Sequence, residues 1–310
     1  MRYRFRNILT LIVLCSFYLN ASAKYPIKPM PSDTVLRFIS NFGKDSLLHL
    51  LDNRIERAVR FFNETKYEIY EPLPIAQFIA VNDCYDLGID LSEKSSINRN
   101  GFFKMYGNEY YRTDSLRFAV RKMSDSLPDF NSLFFQHMKD DMTKVGFAVF
   151  CDVIPFSKNN ADSAYKRSFG CPAYEKLSIY FMFTDLARNC PEYISVTQTY
   201  REDLFGRLYD KYSFKRLIGW CNKTGISAVS DKTKIYNSYV LTAYGLYAND
   251  ITLDQRSDNL FYLFALQKEL HGDWPAHYTS NVLVHDDYST FYALWALVQF
   301  REKLANWQIR

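Results

Sequence analysis

Apolar residues along this chain recur mostly three and four positions apart, the period of a helix that buries one face. Leu47, Leu48, Leu51, Ile55, Ala58, Val59 and Phe62 form one such stripe, while Arg54, Glu56, Arg57 and Arg60 fill the opposite face. The same reading predicts helices over 73–87, 132–153, 172–187, 213–221, 234–247, 257–269 and 288–304. Pro172 suits a first helical turn, Pro155 and Pro191 follow predicted helix ends, and Ser257 is a candidate N-cap. Strict apolar–polar alternation is almost absent. The expected fold class is therefore all-α, with helical hairpins in layers.

Residues 92–130 are the least periodic stretch, with Gly101 and Gly107 interrupting aromatic clusters. They read as an irregular insert or long connection, either a surface loop or a segment over a pocket mouth. No shift in composition marks a domain boundary, so residues 24–310 are expected to form a single all-α domain. A short repeat appears near the end, where Tyr239-Val240-Leu241-Thr242-Ala243 and Tyr292-Ala293-Leu294-Trp295-Ala296 share Y-x-L-x-A at a separation of 53 residues. One helical hairpin with its loops has about that length.

The first 23 residues change the picture of where the protein works. Arg2, Arg4 and Arg6 precede an apolar run from Ile8 to Leu19, and Ala21-Ser22-Ala23 offers a small-x-small cleavage site. This is the pattern of a secretory signal peptide, and the run is shorter than the roughly 20 residues of a spanning helix. The expected location is secreted or periplasmic. Leu14 before Cys15 argues against a lipid anchor, and no later segment is apolar enough to cross a membrane.

Without those 23 residues, 287 of the 310 remain, carrying 35 basic and 34 acidic side chains. Such a balance lacks the concentrated positive field that neutralises a phosphate backbone, so nucleic acid is not an expected partner. Five cysteines remain: Cys84, Cys151, Cys171, Cys190 and Cys221. Cys171 and Cys190 flank a predicted helix whose ends lie roughly 25 Å apart, too far for a disulfide. No CxxC or Cys/His zinc spacing occurs, and buried thiols are the simpler reading. Asn63-Glu64-Thr65 and Asn222-Lys223-Thr224 are glycosylation sequons, meaningful in a eukaryotic host.

The candidate chemistry gathers between Gln267 and Phe300. His271, Asp273, His277, His285, Asp286 and Asp287 fall within 17 residues, with Trp274 and Tyr278 among them. One reading places Asp286 and Asp287 at a barrel mouth, meeting a cation such as Ca²⁺ or serving as an acid/base pair, while the rings stack on a ligand. Adjacent carboxylates repel, and desolvation raises the pKa of one of them, as general acids require. The plainer reading has both aspartates favouring the positive N-terminal end of the last helix as cap and first-turn residues. Tyr236, Tyr239 and Tyr244 either line a cavity or pack the core. Asp140-Asp141 with His137, and Asp83-Cys84-Tyr85-Asp86, read as a solvated face and a helix end.

Leu266-Gln267, Gly272-Asp273-Trp274-Pro275 and Asp287-Tyr288-Ser289-Thr290-Phe291-Tyr292-Ala293-Leu294-Trp295-Ala296-Leu297 resemble the Gln…Gly-x-Trp loop and Thr-x-Tyr-Ala-Leu inner helix of the α/α-toroid superfamily. That superfamily includes terpenoid cyclases, protein prenyltransferase β subunits and complement-like thioester domains. The resemblance spans residues 234–300 and implies a complete or partial α/α toroid. It does not bring the superfamily's chemistry with it. Ser289 stands where the prenyltransferase zinc histidine would be, and no Asp-x-Cys, Asp-x-Asp-Asp or Gly-Cys-Gly-Glu-Gln motif is present.

Gly272-Asp273-Trp274-Pro275 and His285-Asp286-Asp287 are also similar to the Gly-Gly-Trp-Pro-Gln loop and Asn-Asp-Asp helix start of α/α-barrel pectate lyases. That likeness implies carbohydrate contact and Ca²⁺, although no catalytic arginine can be matched. The expected function is a binding or interaction role toward a glycan, peptide or envelope partner. The ligand-binding candidates are His271, Asp273, Trp274, His277, Tyr278 and His285. Two alternatives stand beside it: a carbohydrate-active lyase or hydrolase using Asp286 and Asp287, and a structural envelope component without a ligand.

Overall fold

The computed structural model describes residues 43–69, 72–91, 158–189, 193–217, 235–251, 253–279 and 282–306. The predicted signal peptide, the 92–130 insert, the helix at 132–153 and its His137, Asp140 and Asp141 lie outside the described residues. Within them the protein is mainly helical, with eight helices and one two-stranded hairpin. No helix among the described residues is long and apolar enough to cross a membrane. The chain divides into two compact units, Met1–Lys66 with Asp210–Arg310, and Tyr67–Tyr209.

The second unit holds α2 (Pro72–Cys84), α3 (Lys158–Arg167), α4 (Ala173–Asn189) and most of α5 (Ile194–Tyr212). Nearly every described side chain of α4 from Leu177 to Ala187 is buried, which makes it the central helix of this unit. Tyr165 on α3 stacks on Tyr200 of α5 with ring centroids 4.3 Å apart. Tyr165 donates to Asp203, and Tyr200 donates to Asp162. Both bonds link residues 38 apart, so α3 and α5 run in the same direction, as α4 between them requires. Asp83 and Cys84 stand exposed at the end of α2, where the sequence places a helix end.

The first unit is built on two helices buried on every side. In α6 (Tyr236–Ala248), residues 237–246 are all buried, and in α8 (Asp287–Ala305) residues 289–300 are all buried. A helix apolar all round belongs inside a core. The two pack on each other, α1 (Lys44–Glu64) and α7 (Leu253–Leu266) pack on α8, and the hairpin packs on both α6 and α8. The helices that carry the two Y-x-L-x-A segments are thus neighbours. The Tyr244 and Tyr292 hydroxyls are 3.3 Å apart, and Gln299 donates to the Ala243 carbonyl at 3.0 Å.

On α1 the buried residues are Leu47, Leu51, Ile55, Ala58 and Phe62, the stripe read from the sequence. Leu48 and Val59 are only half-buried at its edges. Asn249 closes α6 in the left-handed region with φ of 62°, a conformation asparagine tolerates, and its N–H reaches the Gly245 and Leu246 carbonyls.

Helices α3 and α5 lie where no helix was expected, and α2 stops at Cys84 rather than Leu87; three further differences bear on the site. Helix α7 begins at Leu253, so Ser257 lies inside it rather than at its cap. It ends at Leu266, because Gln267 leaves the helix to bond elsewhere. The third difference is the hairpin, β1 (Pro275–Thr279) and β2 (Val282–His285), within a segment where no strand was expected. Its register pairs Pro275 with His285, His277 with Val284, Tyr278 with Leu283 and Thr279 with Val282. An irregularity between Pro275 and His277 fits the missing N–H of proline.

Candidate functional site

The site is assembled where the chain leaves α7, forms the hairpin and enters α8. Its first half is a buried clamp. Gln267 is fully buried and its amide donates to the Arg54 carbonyl at 2.9 Å and the Gly272 carbonyl at 3.0 Å. Its own oxygen accepts from Nη1 of Arg54 at 3.3 Å. Arg57 donates to the Glu269 carbonyl at 3.3 Å. The charged face of α1 is therefore an attachment face for the α7–β1 loop.

Gly272 lets that loop come close. Its φ is +79°, and a Cβ there would stand 2.3 Å from the Arg57 carbonyl oxygen and 2.6 Å from its carbon. Both the backbone angle and the space call for glycine. Its N–H donates to the Lys268 carbonyl at 2.8 Å, and Lys268 N–H donates to the Asp273 carbonyl at 2.9 Å, which closes the turn.

Trp274 follows, fully buried. Its indole N–H donates to the Leu263 carbonyl at 2.8 Å, and its backbone N–H donates to the Thr290 hydroxyl at 3.1 Å. Thr290 in turn donates to the Asp286 carbonyl at 2.9 Å. The Trp274 ring is thus a packed core group anchored to α7, while its backbone ties the start of the hairpin to the first turn of α8.

Asp286 caps α8. Its backbone is extended, with φ of −150° and ψ of 162°, and its carboxylate accepts from the Ser289 N–H. Asp287 occupies the first turn, where the helix end favours negative charge. The two neighbouring aspartates thus take different places: one closes the helix, and the other stands half-buried beside it.

The hairpin brings Asp273 and His285, twelve residues apart in the chain, together at its neck. Nδ1 of His285 lies 2.7 Å from Oδ2 of Asp273. Asp273 is 6% exposed, while His285 reaches the surface. Burial pushes the Asp273 carboxyl up, but the His285 contact and charge, a backbone hydrogen bond and Lys268 together hold it below the usual carboxylate range.

Asp286 goes the other way. Burial pushes its carboxyl up, the Ser289 bonds oppose this, Asp287 adds like charge and His277 draws it down, leaving it above the usual range. Close behind lies Tyr239 on α6, which the sequence left open between cavity and core. It is fully buried, with its ring edge-on to Phe214 at 5.1 Å. Burial and the charges of Asp286 and Asp273 hold its phenol well above the ordinary value.

The structure therefore groups Asp273, His285, Asp286 and His277 and adds Tyr239, Ser289 and Thr290. His271 stands exposed on the preceding turn. The Tyr278 backbone lies in β1, and its side chain lies outside the described ones. Among the described residues no group of three or more His, Cys, Asp or Glu is placed to hold a metal ion.

Together these features define a helix-rich protein with a polar neck where a short hairpin meets a fully buried helix. No protein-family model, no curated protein and no solved structure matches this chain.

Proposed function

We propose that this is an exported protein whose role is to bind a glycan, peptide or other envelope partner at the hairpin neck, with its helices arranged as a complete or partial α/α toroid. The observation that carries the reading is the Asp273–His285 pair, 2.7 Å apart, with one member buried and the other at the surface. Burying a carboxylate such as that of Asp273 costs several kcal/mol of desolvation, and apolar side chains fill such a site as stably. A pair kept there, under a half-exposed rim of His277, Asp286 and Asp287, serves recognition better than packing.

The test is the thermal midpoint of the chain from residue 24 onward against polysaccharides, oligosaccharides and peptides, each with Ca²⁺ and with chelator. Binding to the native state alone at 100 times Kd adds about 2.7 kcal/mol, a rise of several degrees for a chain of this size. The expected result is a rise with one ligand class that is lost in His285→Ala. No rise with any ligand returns the protein to a structural envelope role.

A second reading rests on Asp286, whose carboxyl burial holds above the usual range as a general acid requires. A carbohydrate-active lyase or hydrolase would use it with Asp287. Turnover of a bound polysaccharide that disappears in Asp287→Asn, with an unchanged melting midpoint, would favour catalysis over binding.

A further inference from the structure

Four buried polar atoms at the neck lack hydrogen-bond partners among the described residues: the hydroxyls of Tyr239 and Ser289, Nδ1 of His285 and Oδ1 of Asp273; the Tyr239 hydroxyl and Oδ1 of Asp273 form a complementary donor and acceptor. Tyr239 is 0% exposed and Asp273 is 6% exposed, so neither has bulk water to turn to. Native proteins rarely leave such groups unpaired, because each costs about 1–3 kcal/mol, and an exception calls for a missing partner. Tyr239 lies on α6, which packs on the strand that Asp273 leads into, and the Asp273 charge raises its phenol pKa, yet the two do not bond to each other. One has a proton to give, and the other has a lone pair to fill.

We propose that the hairpin neck holds a hydroxyl group of a neutral polyol, a sugar above all, which accepts a hydrogen bond from Tyr239 and donates one to Oδ1 of Asp273. The inference rests on the binding reading above and names the chemistry of its ligand. A hydroxyl satisfies both atoms at once. An ammonium group serves the carboxylate but offers the phenol proton no acceptor. An anion meets the like charges of Asp273 and Asp286. His277, His285 and Asp287, all half-buried, form the rim past which the rest of the ligand extends.

The neck's construction suits this task. Asp273 is held ionised by His285 and fixed through its backbone by Lys268, so Oδ1 is presented as an acceptor without reorganisation. Tyr239 sits on a helix buried on all sides, its ring wedged against Phe214, so its hydroxyl cannot swing to another partner. Preorganised polar groups of this kind give a site orientation and selectivity more than raw affinity.

The experiment is isothermal titration of the chain from residue 24 onward with glucose, galactose, mannose, N-acetylglucosamine and their short oligomers, with butylammonium and acetate as controls. It is repeated on Tyr239→Phe, Asp273→Asn and His277→Ala. One saccharide is expected to bind, with affinity falling roughly tenfold in Tyr239→Phe, the loss of about one hydrogen bond. Tyr239→Phe removes an unbonded hydroxyl and is expected to melt like the parent. Asp273→Asn keeps the volume and supplies a second variant if it does not.

Saccharide binding that is unchanged in Tyr239→Phe and Asp273→Asn but lost in His277→Ala would overturn the hydroxyl contact while leaving the binding reading intact. Binding of butylammonium or acetate in place of every saccharide would overturn the ligand class. Failure of all saccharides, with a peptide raising the melting midpoint, would overturn it in favour of a peptide partner, and failure of every ligand would sink both readings. A crystal soaked in saturating saccharide that shows only a water between Tyr239 and Asp273 would also overturn it.

Discussion

Gln267 and Asp273 stand six residues apart, both polar and both buried, yet their surroundings differ in one respect. Around Gln267 the protein supplies the partners: two backbone carbonyls for its amide and the Arg54 guanidinium for its oxygen. At Asp273 it supplies half, with His285 at one oxygen and nothing among the described residues at the other. A closed polar network adds rigidity and a fixed chain path, whereas an open one keeps free energy in reserve for a group from outside. The clamp is thus architecture, and the neck is where recognition belongs.

The comparison breaks first at Gly272 if the clamp is less tight than it looks. In Gly272→Ala the new methyl meets the Arg57 backbone, which cannot rotate away, and alanine is strained at φ of +79°. Overpacking and backbone strain together are expected to cost about 3 kcal/mol or more. Urea denaturation would show this as a lowered midpoint with an unchanged slope, and a loss under ~1 kcal/mol would mean that α1 is free to shift.

Gln267→Leu tests the same clamp by its hydrogen bonds. The leucine fills the volume but removes the donor to the Gly272 carbonyl and the acceptor for Nη1 of Arg54. The expected cost is ~2–3 kcal/mol, read from the same denaturation curves. Since the clamp and the neck share only the backbone of residues 272–274, any ligand affinity should change far less than stability.

At the neck, acid should separate the two aspartates. The folded pKa of Asp273 is depressed, so its contribution is present above the unfolded value of about 3.9 and is lost as pH falls through the folded one. The folded pKa of Asp286 is raised, so the unfolded state releases that proton first and stability declines as pH rises from about 3.9 through the folded value. Asp286→Ala should remove that decline while losing the Ser289 cap, a net cost of ~1 kcal/mol at neutral pH. Melting curves of both variants between pH 3 and 7 decide it: Asp273→Asn should flatten the acid limb and Asp286→Ala the limb above it.

What the sequence revealed follows the same division. The stripe on α1 and the mostly apolar buried run of α8 were legible because burial alone sets them. Helix α5 went unpredicted because its first turns carry Ile194, Val196, Thr197 and Thr199, β-branched residues that disfavour helix, and its buried Leu204, Phe205 and Leu208 come late. The hairpin went unpredicted because Ser280-Asn281 lacks the glycine that marks a tight turn. Asp286 as cap could be read from Asp-Asp before an apolar run. For Tyr239 the sequence leaves cavity and core both open: inside a helix buried on all sides, a tyrosine has the pattern of a phenylalanine, and only tertiary neighbours show that its hydroxyl lacks a partner among the described residues.

That last point makes Tyr239→Phe the finest test of the contrast. If the hydroxyl were part of a closed network like that of Gln267, removing it would cost about 1–2 kcal/mol. As an unbonded group in an apolar helix it contributes no hydrogen bond and carries a desolvation penalty, so the phenylalanine variant should match the parent within ~0.5 kcal/mol or exceed it. Stability that holds or rises while saccharide affinity falls would show the tyrosine to be retained at the expense of the fold, as a binding group is. A loss of stability as large as that in Gln267→Leu would place Tyr239 with the clamp, its partner an internal water, and would leave the neck as structure throughout.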